Sequence, residues 1–143
     1  MIVLDASIVV AYFNASERRH EAVATWLEAV DEDLVTTPLV LAEIDYVLGR
    51  RAGANALDAF WADLDDGVYA VRWWPEALSE TIATARDADI AVGLADASLV
   101  ALAAHLGTLR IATLDRAHFT RLRPRSGKDA FVLLPAGEPR AGS

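Results

Sequence analysis

The segment from residue 1 to residue 10, Met1-Ile2-Val3-Leu4-Asp5-Ala6-Ser7-Ile8-Val9-Val10, decides how the rest of the chain is read. Ile2 to Leu4 reads as a short buried strand, because it is apolar without alternation. Ala6 to Phe13 reads as a helix entered directly from that strand. Asp5 stands at the junction with apolar runs on both sides. Burying an ionised carboxylate is costly unless something pairs with it. The position of Asp5 therefore calls for a partner.

Outward from this junction the pattern repeats. His20 to Val30 carries apolar residues at helical spacing, and Leu34-Val35-Thr36 reads as a second short strand. Pro38 suits a first helical position and opens a helix to about Arg51. Gly53 precedes a helix over about Ala56 to Leu64, and Gly67 ends it. Val68 to Trp73 alternates like a strand. Pro75 opens a helix to about Asp87, and a very apolar helix runs from Gly93 to about His105, closed by Gly107. Arg110 to Thr113 reads as a strand, Ala117 to Leu122 as a short helix, and Phe131 to Leu134 as the last strand. Residues 136–143, which have no core-forming side chain, are expected to be a disordered tail behind one domain at 1–135. Short apolar strands alternating with helices predict a three-layer α/β/α fold. Its central sheet is mostly parallel, with about four or five short strands and the first strand central.

Composition narrows the function. The 143 residues, 15.4 kDa, suit one domain, and 54% hydrophobic content supplies a core. No apolar run approaches the ~18 residues of a membrane span. The start lacks the flank and cleavage site of a signal peptide, so a cytoplasmic protein is expected. There are no cysteines, which leaves carboxylates and three histidines as candidate metal ligands. The net charge of −8 taken alone argues against a nucleic-acid binder. Between Arg110 and Lys128, however, six basic residues face one acid. That is a local +5, so the remaining chain carries −13. A basic stretch beside an acidic site would suit phosphate, and it would equally suit a solubilising face.

Four acids stand out. In open parallel sheets the functional crevice lies beyond the carboxyl ends of the strands, where Asp5 and Asp115 both fall. Asp96 shares a helix face with Leu99, Val100 and Ala103, and Glu43 with Leu39 and Val47. One such acid is ordinarily a cap or an internal hydrogen-bonding group. Four together repel one another, and a cation is what makes such a cluster tolerable. All-oxygen ligands suit a hard cation, so Mg2+ is expected, with Mn2+ able to substitute. A metal held this way can activate water against a phosphodiester with no nucleophilic side chain. Ser7 and Thr113, each two residues from an acid, are candidates to orient a carboxylate, with helix capping the other reading of Ser7.

The segments VLDASIVVAYF, TTPLVLAEIDYVLGRR, GLADASLVALAAHLG and IATLDRAHF, in this order, resemble those of PIN-domain proteins. Over residues 1–135 the chain is similar to the ribonuclease toxins of VapBC-type toxin–antitoxin pairs. The resemblance implies a Mg2+-dependent endoribonuclease that cuts structured RNA to inhibit translation. It also implies a homodimer and inhibition by a cognate antitoxin. Asp5, Glu43, Asp96 and Asp115 match the family's acidic quartet as catalytic and metal-binding residues, and Thr113 matches the Thr before its last acid. A further acid near the Asp96 helix could be Asp87 or Asp89, of which Asp89 is the nearer. Leu114 departs from the polar residue that many relatives carry there.

Other readings follow from the same residues. Arg116, next to Asp115, is the foremost candidate for contacting RNA phosphate. Arg18-Arg19 and Arg50-Arg51 read equally as RNA-holding pairs or as solvated surface. The tryptophans read as packing residues, and the three histidines, lacking ligand spacing, as surface or packing residues. A receiver domain would need a Lys after a late strand, and the sole Lys, Lys128, precedes the last one. A haloacid-dehalogenase-type phosphatase would need an Asp where Ser7 stands. A flap-type DNA nuclease and a non-catalytic module binding RNA or protein are the alternatives to the ribonuclease.

Overall fold

Ile2–Leu4 forms strand β1 and occupies the middle of the sheet, with all three residues buried. The computed structural model describes residues 1–136. Among these residues five strands run in the order β3-β2-β1-β4-β5, every neighbouring pair parallel. They are β1, β2 (Leu34–Thr36), β3 (Ala70–Val71), β4 (Arg110–Ala112) and β5 (Val132–Leu134). A strand flanked on both edges and covered on both faces has no solvent side, hence the unbroken apolar run in β1.

Among the described residues seven helices flank the sheet: α1 (Ala6–Phe13), α2 (His20–Ala29), α3 (Pro38–Arg51), α4 (Ala54–Asp65), α5 (Ala77–Asp87), α6 (Leu94–Leu106) and α7 (Arg116–Arg121). Helix α1 packs on α2 and α3, α3 on α4 and α6, and α5 on α6. Every residue of α6 from Ala97 to Ala103 is buried. A helix apolar all round is a core helix, and full burial of Leu99 and Leu102 stabilises the fold by roughly 1.5–3 kcal/mol each. Gly107 ends α6 in the left-handed region at φ 71°, where its N–H reaches back to Ala103 and Ala104. Helix α3 begins at Pro38 behind Thr37, whose hydroxyl accepts from the N–H of Val40 and also bonds Ser98 Oγ at 2.7 Å.

The strand order carries the functional consequence. Strands β2 and β3 extend the sheet to one side of β1, and β4 then crosses to the other. The connection changes direction between β1 and β4, which is where open parallel sheets leave a crevice at their carboxyl ends. Val3 pairs with Ile111 and Leu4 with Ala112, so Asp5 and Thr113 emerge side by side.

Some boundaries differ from the sequence expectation. The strand expected over Val68 to Trp73 contracts to Ala70–Val71, because β2 offers it only Val35 and Thr36 as partners. Helix α5 starts at Ala77 rather than Pro75, since the N–H of Ala77 closes a turn onto the carbonyl of Trp74. The sheet is wholly rather than mostly parallel. The tail expected at 136–143 lies, beyond Ala136, outside the described residues. Among the described residues no helix is long and apolar enough to cross a membrane.

Candidate active site

Asp5 is the N-cap residue of α1, yet its side chain makes no capping bond. Its Oδ2 instead accepts from two hydroxyls, Ser7 Oγ at 2.6 Å and Thr113 Oγ1 at 2.7 Å. Each hydroxyl has a fixed role, because each also accepts a backbone N–H. Leu114 N donates to Ser7 Oγ and Asp115 N donates to Thr113 Oγ1, both at 2.9 Å. The single proton of each hydroxyl is thereby directed at the carboxylate. The start of α1 and the loop after β4 are joined through this one buried oxygen.

Around it opens a cleft of about 260 Å³ lined by Asp5, Ser7, Glu43, Asp96 and Asp115, with Val47 and Arg51 among the remaining wall residues. All four acids predicted from sequence thus share one cavity at the carboxyl end of the sheet. They arrive from four elements. Asp5 follows β1, and Asp115 caps α7 by accepting from the N–H of His118 at 3.4 Å. Asp96 lies in the first turn of α6. Glu43 shares the cleft-facing flank of α3 with Val47, as its spacing suggested, while the buried stripe of the helix is Val40, Ile44 and Leu48 and Glu43 itself is exposed.

The electrostatics show crowding. Burial raises the Asp5 carboxyl above its ordinary range, although Ser7 and Thr113 partly oppose this. Burial and the Asp5 charge raise Glu43. Asp96 is pushed up to about 6, first by burial and then by Asp5, with Glu43 and Asp115 adding to the rise and His118 opposing it. Among the described residues no three such side chains converge closely enough to cage a metal ion as they stand. The donor set still fits a hard divalent cation. It is all carboxylate, and its mutual repulsion is what a cation would relieve.

A profile of the PIN domain matches residues 2–123. The chain belongs to the PIN-domain family. Ribonuclease VapC26 of Mycobacterium tuberculosis is 36% identical over 136 residues, covering 94% of this chain and all of that protein. Among solved structures the PIN fold matches Mycobacterium tuberculosis VapC20, described as a sarcin-ricin loop cleaving toxin. That match has a TM-score of 0.72 at 23% identity, covering 78% of this chain and 87% of the other. FitAcB from Neisseria gonorrhoeae matches with a TM-score of 0.56 at 18% identity, covering 81% and 88%. At these identities the two structures speak for the fold alone.

Three further side chains of the PIN domain fall differently from expectation. Asp89 lies outside the acidic cleft. It and Asp87 line a separate cavity of about 330 Å³ with Arg121, Arg123 and Arg125. Arg116 follows Asp115, but its Nη1 donates to the carbonyls of Leu133 at 3.5 Å and Pro135 at 3.2 Å, tying α7 to the end of β5. His118, read as a surface or packing residue, stands with Nε2 at 3.1 Å from Asp96 Oδ2. Among the described residues that buried nitrogen has no aligned hydrogen-bond partner, so the two groups make a close approach rather than a hydrogen bond. One signal for it was present in the sequence. His118 stands three residues after Asp115, in the first turn of a helix that begins at the acidic rim.

Proposed function

We propose that this PIN domain is a metal-dependent endoribonuclease, the toxin of a type II toxin–antitoxin pair, which inhibits translation by hydrolysing RNA. The observation that carries the reading is the meeting of Asp5, Glu43, Asp96 and Asp115 in one cleft at the switch point of the sheet. The 36% identity to a ribonuclease along nearly the whole chain supports the same chemistry.

In this reading the four carboxylates hold Mg2+, or Mn2+ in its place. When bound, the metal supplies Lewis-acid charge at the phosphate and lowers the pKa of attacking water. The protein's own residues prepare the site. Ser7 and Thr113 fix one oxygen of Asp5 and so set the direction in which its carboxylate faces the cleft. The raised pKa of Asp96, caused by burial and the neighbouring carboxylates, marks the crowding of charge that a bound cation would relieve. Buried Asp5 sits at the cleft floor, where little water dilutes its charge. Asp89 and Arg116 stand outside the reacting centre in this reading, Asp89 in a separate cavity and Arg116 tied to the end of β5.

A protein whose acidic cleft is harmful when open needs an inhibitor. A cognate antitoxin that placed an arginine among these carboxylates would pair with them in the metal's stead. A homodimer working in the cytoplasm completes the proposal.

The test is cleavage of total cellular RNA by the purified protein, with Mg2+ and with excess chelator, beside Asp5→Asn and Asp96→Asn. Discrete fragments that need Mg2+ and vanish in both variants support the ribonuclease. Cleavage of branched DNA instead would point to a flap-type nuclease. Binding of RNA without cleavage, in Mn2+ as well, would leave a non-catalytic module.

A further inference from the structure

We infer that Arg51 grips a backbone phosphate of the RNA lying in the acidic cleft, next to the phosphate that meets the carboxylates. The inference deepens the ribonuclease reading and rests on it. Glu43, Val47 and Arg51 stand at i, i+4 and i+8 along α3, so they share one helix face, and all three line the cleft with Asp5, Asp96 and Asp115. Eight residues span about 12 Å of helix. Side chains on a helix lean towards its N-terminus, so the long arm of Arg51 runs back towards Glu43 and the acids.

The cleft thus has an acidic end and one guanidinium, a division that fits a polyanion bridged by a cation. Guanidinium binds phosphate through paired, charge-assisted hydrogen bonds. The other arginines nearby are engaged elsewhere. Arg50 donates to Tyr46 Oη at 3.1 Å and lies over its ring. Arg116 is tied to carbonyls at the end of β5. Arg121, Arg123 and Arg125 face a different cavity, whose wall includes two acids. Among the described residues Arg51 makes no ion pair, although acids share its cleft. Its ordinary structural role would be to complement the helix dipole from the last turn of α3. That role predicts a loss of stability and unchanged RNA binding.

The experiment measures binding of a labelled RNA hairpin by fluorescence anisotropy across a salt series, on the protein with all four acids intact and with Ca2+ in place of Mg2+, so that a bridging cation is present while the RNA stays intact. Arg51→Gln should weaken binding about tenfold, the scale of one charge-assisted contact. It should also lower the slope of log affinity against log salt by about 0.7 to 0.9, one phosphate's worth. Arg50→Gln removes the same formal charge from the neighbouring position and should leave both nearly unchanged. Equal effects of the two variants, or no effect of Arg51→Gln, would overturn the assignment. If the protein binds RNA with Ca2+ but never cuts it with Mg2+ or Mn2+, the ribonuclease reading fails while Arg51 is still judged by the slope. If it binds no RNA, both fall together.

Discussion

Thr113 Oγ1 donates to Asp5 Oδ2 at 2.7 Å across 108 residues of sequence, while accepting from the N–H of Asp115. Removing this hydroxyl leaves both a buried carboxylate oxygen and a backbone N–H short of a partner. Thr113→Val, which keeps the shape, should therefore cost about 1–3 kcal/mol in urea unfolding and reduce RNA cleavage. Thr113→Ser should retain most of both. Combined with Ser7→Ala, the losses should be non-additive, because the two hydroxyls serve one oxygen.

Asp5→Asn should separate stability from function. Asparagine keeps an acceptor for both hydroxyls and removes a charge that burial disfavours. The metal-free variant should melt at or above the wild-type temperature and cleave no RNA. A lower melting temperature, measured in chelator, would show that the negative charge itself holds the fold.

The crowding of acids also fixes the sign of a pH effect. An acid whose pKa is higher in the folded state binds its proton more tightly there. Stability then falls as pH rises from the unfolded value to the folded one. For Asp96 that window runs from 3.8 to about 6, and Asp5 and Glu43 are shifted in the same direction. Glu17, held low by Arg19, acts oppositely, as a surface pair of small weight. In chelator, the midpoint of urea unfolding should be higher at pH about 5 than at about 7. A midpoint that rises over this range would contradict the shifts.

Divalent cation should reverse that behaviour. A ligand that binds only the folded state stabilises by about 2.7 kcal/mol at one hundred times its dissociation constant. Mg2+ or Mn2+ should therefore raise the melting temperature and flatten its pH dependence, because metal displaces the proton. Neither effect should occur in Asp5→Asn, and calorimetric titration of both proteins checks it.

The parts of the molecule legible in its sequence are those that depend on local pattern. The run before Asp5 was readable as a central strand because only a strand enclosed on both faces is apolar throughout. The rim of acids was readable because parallel sheets open at their carboxyl ends. Helix α3 was harder. With apolar residues on most sides of it, the faces of Glu43 and of Ile44 look alike in sequence, and packing alone chose Val40, Ile44 and Leu48 for the core. Strand β3 was over-read because its length is set by its partner β2. Arg116 was beyond reach for another reason. Its long side chain takes partners from an element distant in sequence, so adjacency to Asp115 did not aim it into the cleft.

The hydroxyl pair that ties the start of α1 to the loop after β4 also orders events in time. Strand β1 is made first, but its neighbour on that side arrives more than 100 residues later. Closing so distant a contact is among the slow steps of folding. A growing chain that has not yet delivered Arg110–Asp115 lacks both the hydroxyl of Thr113 and the last acid. While synthesis proceeds, the emerging chain thus carries an incomplete site, which is assembled only once nearly the whole domain has left the exit tunnel.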